Sequence, residues 1–298
     1  MKHTKRIFAF FLLAGIFISG CQKDDPVSTA VSEAVYEDAA YTISGAIGDE
    51  SGGATESMGD LLTFQSQGGL NMTTPLADGG FETTTSDSGT YDPATGWWTV
   101  SINKTRSNMR VTASVTRTYQ FRFWKNETQH QAFYIVNGDT AVKMELKIVN
   151  GTGYFKNKIV THYLTQLQGS WLATDINKDT VTITLQQNYI RKGVDSVVTL
   201  RASRIFDHTL TLTAVNVKTV RFKPTVVKPF AQWRENLANA ISGTITGNIT
   251  ATATIIRGDN DKVTSINKDF VITVGGGEGS IDIEGRKFKG NMRYGDRP

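Results

Sequence analysis

Apolar and polar side chains alternate along this chain over stretches too long for ordinary strands. In NMRVTASVTRTYQFRFWK (108–125), Met109, Val111, Ala113, Val115, Tyr119, Phe121 and Phe123 share one parity. Arg110, Thr112, Ser114, Thr116, Thr118, Gln120 and Arg122 take the other. Successive side chains of a strand point to opposite faces, so a period of two predicts a half-buried antiparallel strand. Fully extended, this one reaches about 50–60 Å, well beyond a usual strand of ~5–6 residues. TITGNITATATII (244–256) repeats the pattern, with Ile245, Ile249, Ala251, Ala253 and Ile255 on one face and mainly threonines on the other. DTVTITLQ (179–186) and HTLTLTAV (208–215) do the same. In the latter the apolar parity moves from Leu210 and Leu212 to Val215 and Val217, which predicts a β-bulge or bend between them.

Turn chemistry separates these runs at NGD (137–139), NGTG (150–153), INKD (176–179), RKGVD (191–195), RGDNDK (257–262) and GGGEG (275–279). Connections this short favour hairpins and a meander. Two segments have helical spacing instead. Val31, Val35, Ala39 and Ile43 suggest a helix over 31–47, and Phe230, Trp233, Leu237 and Ile241 another over 229–243 with Gly243 as its stop. GDESGGATESMGD (48–60) reads as a flexible loop, and 154–169 fits helix or strand. The expected fold is all-β. Long antiparallel strands form a meander that makes a sandwich or a strongly curved sheet, with one or two accessory helices; an incomplete barrel is the alternative. The expected division is a leader over 1–20, a tether with a short helix over 21–60 and a β-rich domain over 61–298. Pro224 and Pro229 suggest a subdomain boundary near 224–229.

The N-terminus carries an address. Lys2, Lys5 and Arg6 precede an apolar run from Ile7 to Ile18, too short for a membrane-spanning helix of ~20 residues and suited to a secretory signal. Ile18-Ser19-Gly20-Cys21 then resembles the lipobox of bacterial lipoproteins. The resemblance implies cleavage before Cys21, the only cysteine in the chain, and acylation of its sulfur and new amino group. Several acyl chains make a stable anchor, each buried methylene contributing ~0.8 kcal/mol. Gln22, Lys23, Asp24 and Asp25 resemble the short signal read by export machinery on surface-exposed lipoproteins of some Gram-negative bacteria. Together these imply a protein anchored to the cell outer membrane and displayed on the cell surface, with the lipoprotein processing and export machinery as partners. With Cys21 acylated, no thiol remains for a disulfide or a zinc site.

Loss of Lys2, Lys5 and Arg6 from the 32 basic residues leaves 29 against 28 acidic ones. A near balance without a clustered basic face gives no sign of a nucleic-acid partner. No enzyme motif stands out. SINK (101–104 and 265–268) matches S-x-x-K but follows strand patterns, neither G-x-S-x-G nor H-E-x-x-H occurs, and His130, His162 and His208 are widely spaced. GGGEGS precedes a strand and so provides no helix N-terminus for phosphate. Asp175, Asn177 and Asp179 begin like a calcium loop but lack its glycine and distal glutamate. Arg257-Gly258-Asp259, and the Asp-Thr/Ser steps at 139, 179 and 195 that resemble a bacterial O-glycosylation sequon, are first of all good turn chemistry. No metal, cofactor or catalytic residue is expected. Trp97 and Trp98 are neighbours and must point to opposite faces of a strand, one into the core and one available to stack on a glycan or protein ligand. The expected role is therefore binding or adhesion without catalysis. The alternative is a periplasm-facing carrier of lipids or other hydrophobic ligands with a half-barrel fold, marked by a continuous apolar concave face.

Overall fold

The structure is a computed structural model that describes residues 26–48, 52–66, 68, 82–107, 109, 112–158, 160–198, 203–223, 229–239, 241–257, 260–276 and 278–291. Cys21 and the four residues after it, Val111 and the Gly258-Asp259 step lie outside the described residues.

Two helices come first, α1 (Pro26–Ile47) and α2 (Ala54–Ser66). Strands follow as β1 (Glu82–Asp92), β2 (Trp97–Ser107) and β3 (Thr112–Trp124), then the short β4 (His130–Gln131), β5 (Ile135–Val136) and β6 (Asp139–Thr140). The long β7 (Lys143–Lys156), β8 (Val160–Thr174), β9 (Thr180–Val198) and β10 (Ser203–Val220) lead to α3 (Pro229–Asn239). The chain continues through β11 (Ser242–Arg257), β12 (Asn260–Gly275), β13 (Glu278–Ile283) and β14 (Arg286–Asn291). The main sheet runs β1-β2-β3-β7-β8-β9-β10-β11-β12-β13-β14, every pair antiparallel, with β4 added beside β3. It is one open meander. The layer across its inner face is helical, so no sandwich forms, and the helices number three among the described residues.

The alternation works as the residue types demand. Phe121, Ile245, Ile249, Ala251 and Ala253 are buried, whereas Thr112, Thr116 and Thr250 are exposed. The bulge in β10 is present: Leu212 pairs with Gly247 and Ala214 with Thr246, so Thr213 is the extra residue and inward parity resumes at Val215. Several expectations are corrected. Met109 is fully exposed in the β2–β3 connection and β3 begins only at Thr112. NGTG and RKGVD are not turns but lie inside β7 and β9. Gly151 there admits the Leu167 side chain and Gly193 the Tyr163 carbonyl, each within 3 Å of where a Cβ would stand. Asp195 is accordingly a buried mid-strand residue. Residues 154–169 are strand on both sides of a hairpin.

The largest correction concerns 21–60. From Pro26 this segment is helical, and 54–66 is the most enclosed part of the described molecule, with every residue of α2 buried. The loop reading failed because α2 has no polar face to display. Met58, Leu61, Leu62 and Phe64 pack in the core, and its acids are neutralised internally. The α1–α2 corner needs glycine. Gly52 has φ +74°, and a Cβ on Gly53 would stand 2.5 Å from the Gly48 carbonyl oxygen. α3 lies against α2, where Gly59 leaves room for the buried Trp233. Although Pro224 and Pro229 suggested a boundary, β10 and β11 on either side of it pair over 203–218 and 242–256.

Candidate functional site

Among the described residues three polar assemblies bear on a site, two inside and one on the outer face. The first holds α2 to the sheet. Glu56 and Asp60 lie one turn apart on α2 and meet two cations from neighbouring strands. Lys104 Nζ lies 3.0 Å from Glu56 Oε1 and 2.8 Å from Asp60 Oδ1. Arg117 lies 2.7 Å from Glu56 Oε2 and 3.4 Å from Asp60 Oδ2. Tyr119 donates its hydroxyl to Asp60 Oδ2 at 2.5 Å. Burial pushes the Asp60 carboxyl up, but Lys104 and Arg117 outweigh it and hold it below the ordinary range. Burial raises the Tyr119 phenol well above its ordinary value, so it stays a proton donor. Two acids and two bases balance within one buried knot, which is structural. Its signal in the sequence is a cation at an inward parity position, with Lys104 following Trp98, Val100 and Ile102, and Arg117 preceding Tyr119 and Phe121.

The second assembly unites His162 and His208, two of the three histidines beyond the leader. Asp195 in β9 lies 2.9 Å from Nδ1 of His162 in β8 and 3.8 Å from Nδ1 of His208 in β10. Arg191 Nη1 lies 2.5 Å from His208 Nε2. Burial, followed by the Arg191 charge, lowers the His208 imidazole to about 4 against the pull of Asp195, so it is neutral at pH 7. Burial opposes ionisation of Asp195, yet His208 and His162 hold its carboxyl far below the usual range. Asp195 and His208 are 0% and 2% exposed, so the pair is shut away from any large substrate. His130 lies apart, its ring edge-on to Trp124 at 6.3 Å.

The third assembly is a groove of about 400 Å³ on the outer face, lined by Trp97, Arg122, Glu145, Lys147, Ser170, Gln186 and Gln187. The two tryptophans separate here as their parity requires. Trp98 enters the core, stacks towards Phe121 and donates its indole N–H to the Ala132 carbonyl at 2.6 Å, so it cannot meet a ligand. Trp97 turns outward and is half-buried. The Arg122 guanidinium lies 4.4 Å from the Trp97 ring centre and 4.6 Å from that of Trp124. Its Nε and Nη2 donate to Glu145 Oε2 at 2.9 and 2.8 Å. This fixes a planar cation and a carboxylate beside an aromatic wall. Ser170 forms the floor, 6% exposed, with its hydroxyl unpartnered.

Strand irregularity makes the depression. Ser170 pairs with Gln187 while Trp171 pairs with Leu185, so Gln186 is the extra residue of a bulge, and the register shifts again between Gln168 and Ser170. Bulges re-aim side chains and recur beside functional sites. Sequence reasoning found Trp97 but missed its companions, because nothing local says that β2, β3, β7, β8 and β9 lie side by side. No protein-family model matches the chain, and no curated protein or solved structure matches it.

Proposed function

We propose that this is a lipid-anchored outer-membrane protein, displayed at the cell surface through Cys21, whose outer-face groove binds glycans without catalysis. The observation that carries the binding role is the unsatisfied Ser170 hydroxyl of a residue that lines the same groove as Trp97. A buried polar group without a partner costs about 1–3 kcal/mol, which a ligand hydroxyl in the groove would offset. An indole face, a fixed Arg122–Glu145 pair, two glutamine amides and a serine form a donor and acceptor set suited to sugar hydroxyls above an apolar sugar face. The half-barrel carrier reading needs an open apolar concavity. In this fold α2 fills the inner face, with Phe64 stacked on Phe121, which favours the groove.

Binding is tested by presenting neutral and uronic-acid oligosaccharides to the purified protein and to its Trp97→Ala and Ser170→Ala variants. At least a tenfold loss in both is expected, with the Trp97→Ala midpoint lowered by no more than about 1 kcal/mol of stability and the Ser170→Ala midpoint not lowered, since it removes an unsatisfied hydroxyl. Equal affinity in all three, or no sugar bound by any, refutes the glycan reading. The anchor is tested separately. Cys21→Ser should leave an unprocessed, unacylated precursor, and normal processing removes the lipoprotein claim. Alanine at Lys23, Asp24 and Asp25 should retain acylation but protect the protein from protease added to intact cells. Equal protection of wild type and variant removes surface display.

A further inference from the structure

The outer-face groove holds three charged residues, Arg122, Glu145 and Lys147, and two of them cancel. Arg122 stands opposite Glu145 across the β3–β7 ladder and donates to its carboxylate at 2.9 and 2.8 Å. Neighbouring cations are answered in the same way. Lys143 Nζ lies 2.7 Å from Glu127, and Lys125 Nζ lies 2.5 Å from Asp139. Lys147 differs. It is exposed, and among the described residues no carboxylate comes within ion-pair distance of it.

The strand register accounts for this. Two residues before Lys147 on β7 is Glu145, already engaged, and two residues after it is Val149. Across the ladders Lys147 pairs with Gln120 of β3 and Ser170 of β8, and Ser170 pairs in turn with Gln187 of β9. None of these cross-strand neighbours is acidic. Residues directly opposite each other stand about 4.5–5.5 Å apart at Cβ. The Lys147 ammonium therefore occupies the position next to Ser170, whose buried hydroxyl is also without a partner. Beyond the leader the chain carries 29 basic against 28 acidic side chains, so its overall field draws anions only weakly. Any preference for an anionic ligand has to come from the groove itself.

We infer that the groove selects acidic glycans, which carry a carboxylate or a sulfate, and that Lys147 is the residue that recognises the anion; the inference rests on the glycan reading above. An exposed ammonium is satisfied by water until a ligand fills the groove. A neutral sugar would displace that water and leave a charge without a partner, which is costly. A sugar with an anionic group at this position replaces the water by a charge-assisted hydrogen bond. Arg122 does not compete for the anion, because Glu145 meets its charge before any ligand arrives. Arg122 and Trp97 form the wall of the site, and Lys147 sets which sugars fit its charge.

The test measures, by titration calorimetry, the binding of an oligogalacturonate and of the same chain after reduction of its carboxylates to alcohols. The acidic chain should bind about three- to tenfold more tightly, with the gap narrowing at high salt. Lys147→Gln should erase the gap and leave the affinity for the reduced chain unchanged, while Lys147→Arg should keep it. Lys147 is exposed and makes no ion pair among the described residues, so neither variant should unfold more easily. Lys262→Gln makes the same change of charge at an exposed position of β12, four ladders from β8, and should alter nothing. Equal affinity of the wild type for the two chains, or equal losses in Lys147→Gln and Lys262→Gln, overturns the anion subsite. A sulfated chain forms the third arm. Tighter binding than the uronate, lost in Lys147→Gln, supports the subsite with sulfate as its anion. The reduced chain separates the two readings. If it binds, and Trp97→Ala weakens it, while the acids show no advantage, only the subsite falls. If no chain binds, the glycan reading falls and the subsite with it.

Discussion

Replacing Arg117 by methionine should be among the most damaging single changes in the molecule. The side chain is 1% exposed and makes the 2.7 Å contact to Glu56 and the 3.4 Å contact to Asp60. Methionine keeps most of the volume but leaves two carboxylates to share Lys104. Removing one partner from a buried ion network costs about 3–5 kcal/mol, because the charge left behind is still desolvated. Against a total stability of about 5–15 kcal/mol that is a large fraction. Urea unfolding at pH 7 measures it as a lowered midpoint at constant slope. Adding Glu56→Gln to Arg117→Met should recover part of the loss, since the stranded charge is gone, with a coupling of about 0.5–3 kcal/mol. Lys289→Ala serves as the control, because Lys289 and Glu278 form an exposed pair whose removal should cost under about 1 kcal/mol. The knot also sets acid behaviour. Because the folded Asp60 carboxyl lies below its unfolded value, its contribution is complete above the ordinary carboxylate range and is lost as pH falls through the depressed value. The Arg117 variant should begin to lose stability at a higher pH than the wild type. A cost near that of Lys289→Ala would refute the reasoning, since it would mean that the acids of α2 are solvated.

Three further outcomes follow from other parts of the structure. His208 is neutral when folded down to about pH 4 but titrates near 6.5 when unfolded, so the unfolded state binds the extra proton first. Stability should fall by up to about 3 kcal/mol between pH 6.5 and 4, and His208→Leu should flatten that window in a pH series of thermal melts. Trp98→Ala should cost about 3–5 kcal/mol while Trp97→Ala costs about 1 kcal/mol or less; similar losses would contradict their opposite facing. Gly59→Ala gains helix propensity, yet a Cβ there would lie 2.7 Å from Trp233 Cδ1. A net loss of about 1–3 kcal/mol in chemical denaturation is expected, and a gain would show that α3 can slide.

Much of the fold was legible because period-two patterning, threonine-rich outer faces and short turns agree with one another. The parity slip around Thr213 even located a bulge. The two segments misread as turns, NGTG and RKGVD, show where the method stops. Glycine marks a turn only when the backbone reverses, and Gly151 and Gly193 instead admit a neighbouring side chain and a carbonyl within a strand that continues past them. α2 was illegible for a related reason, since its acids are answered by Lys104 and Arg117 some 44 to 61 residues later. The groove was half legible. Trp97 has a parity, but Ser170 and Gln186 join it only through register shifts that no local pattern encodes.

Among the described residues the open sheet leaves two unpaired ladders, β1 and β14, each a template on which a second molecule could add a strand. Both are blunted. The pairing of β1 with β2 slips between Ser86 and Thr90, so its outer row of amides is uneven. β14 is six residues long and carries Lys287 and Lys289 exposed at alternate positions. A neighbour in register would have to bring its own lysines alongside these. Self-association by edge pairing is thereby discouraged from both sides, which would matter most if the proposed anchor concentrates the chain in two dimensions, where copies meet far more often than in solution.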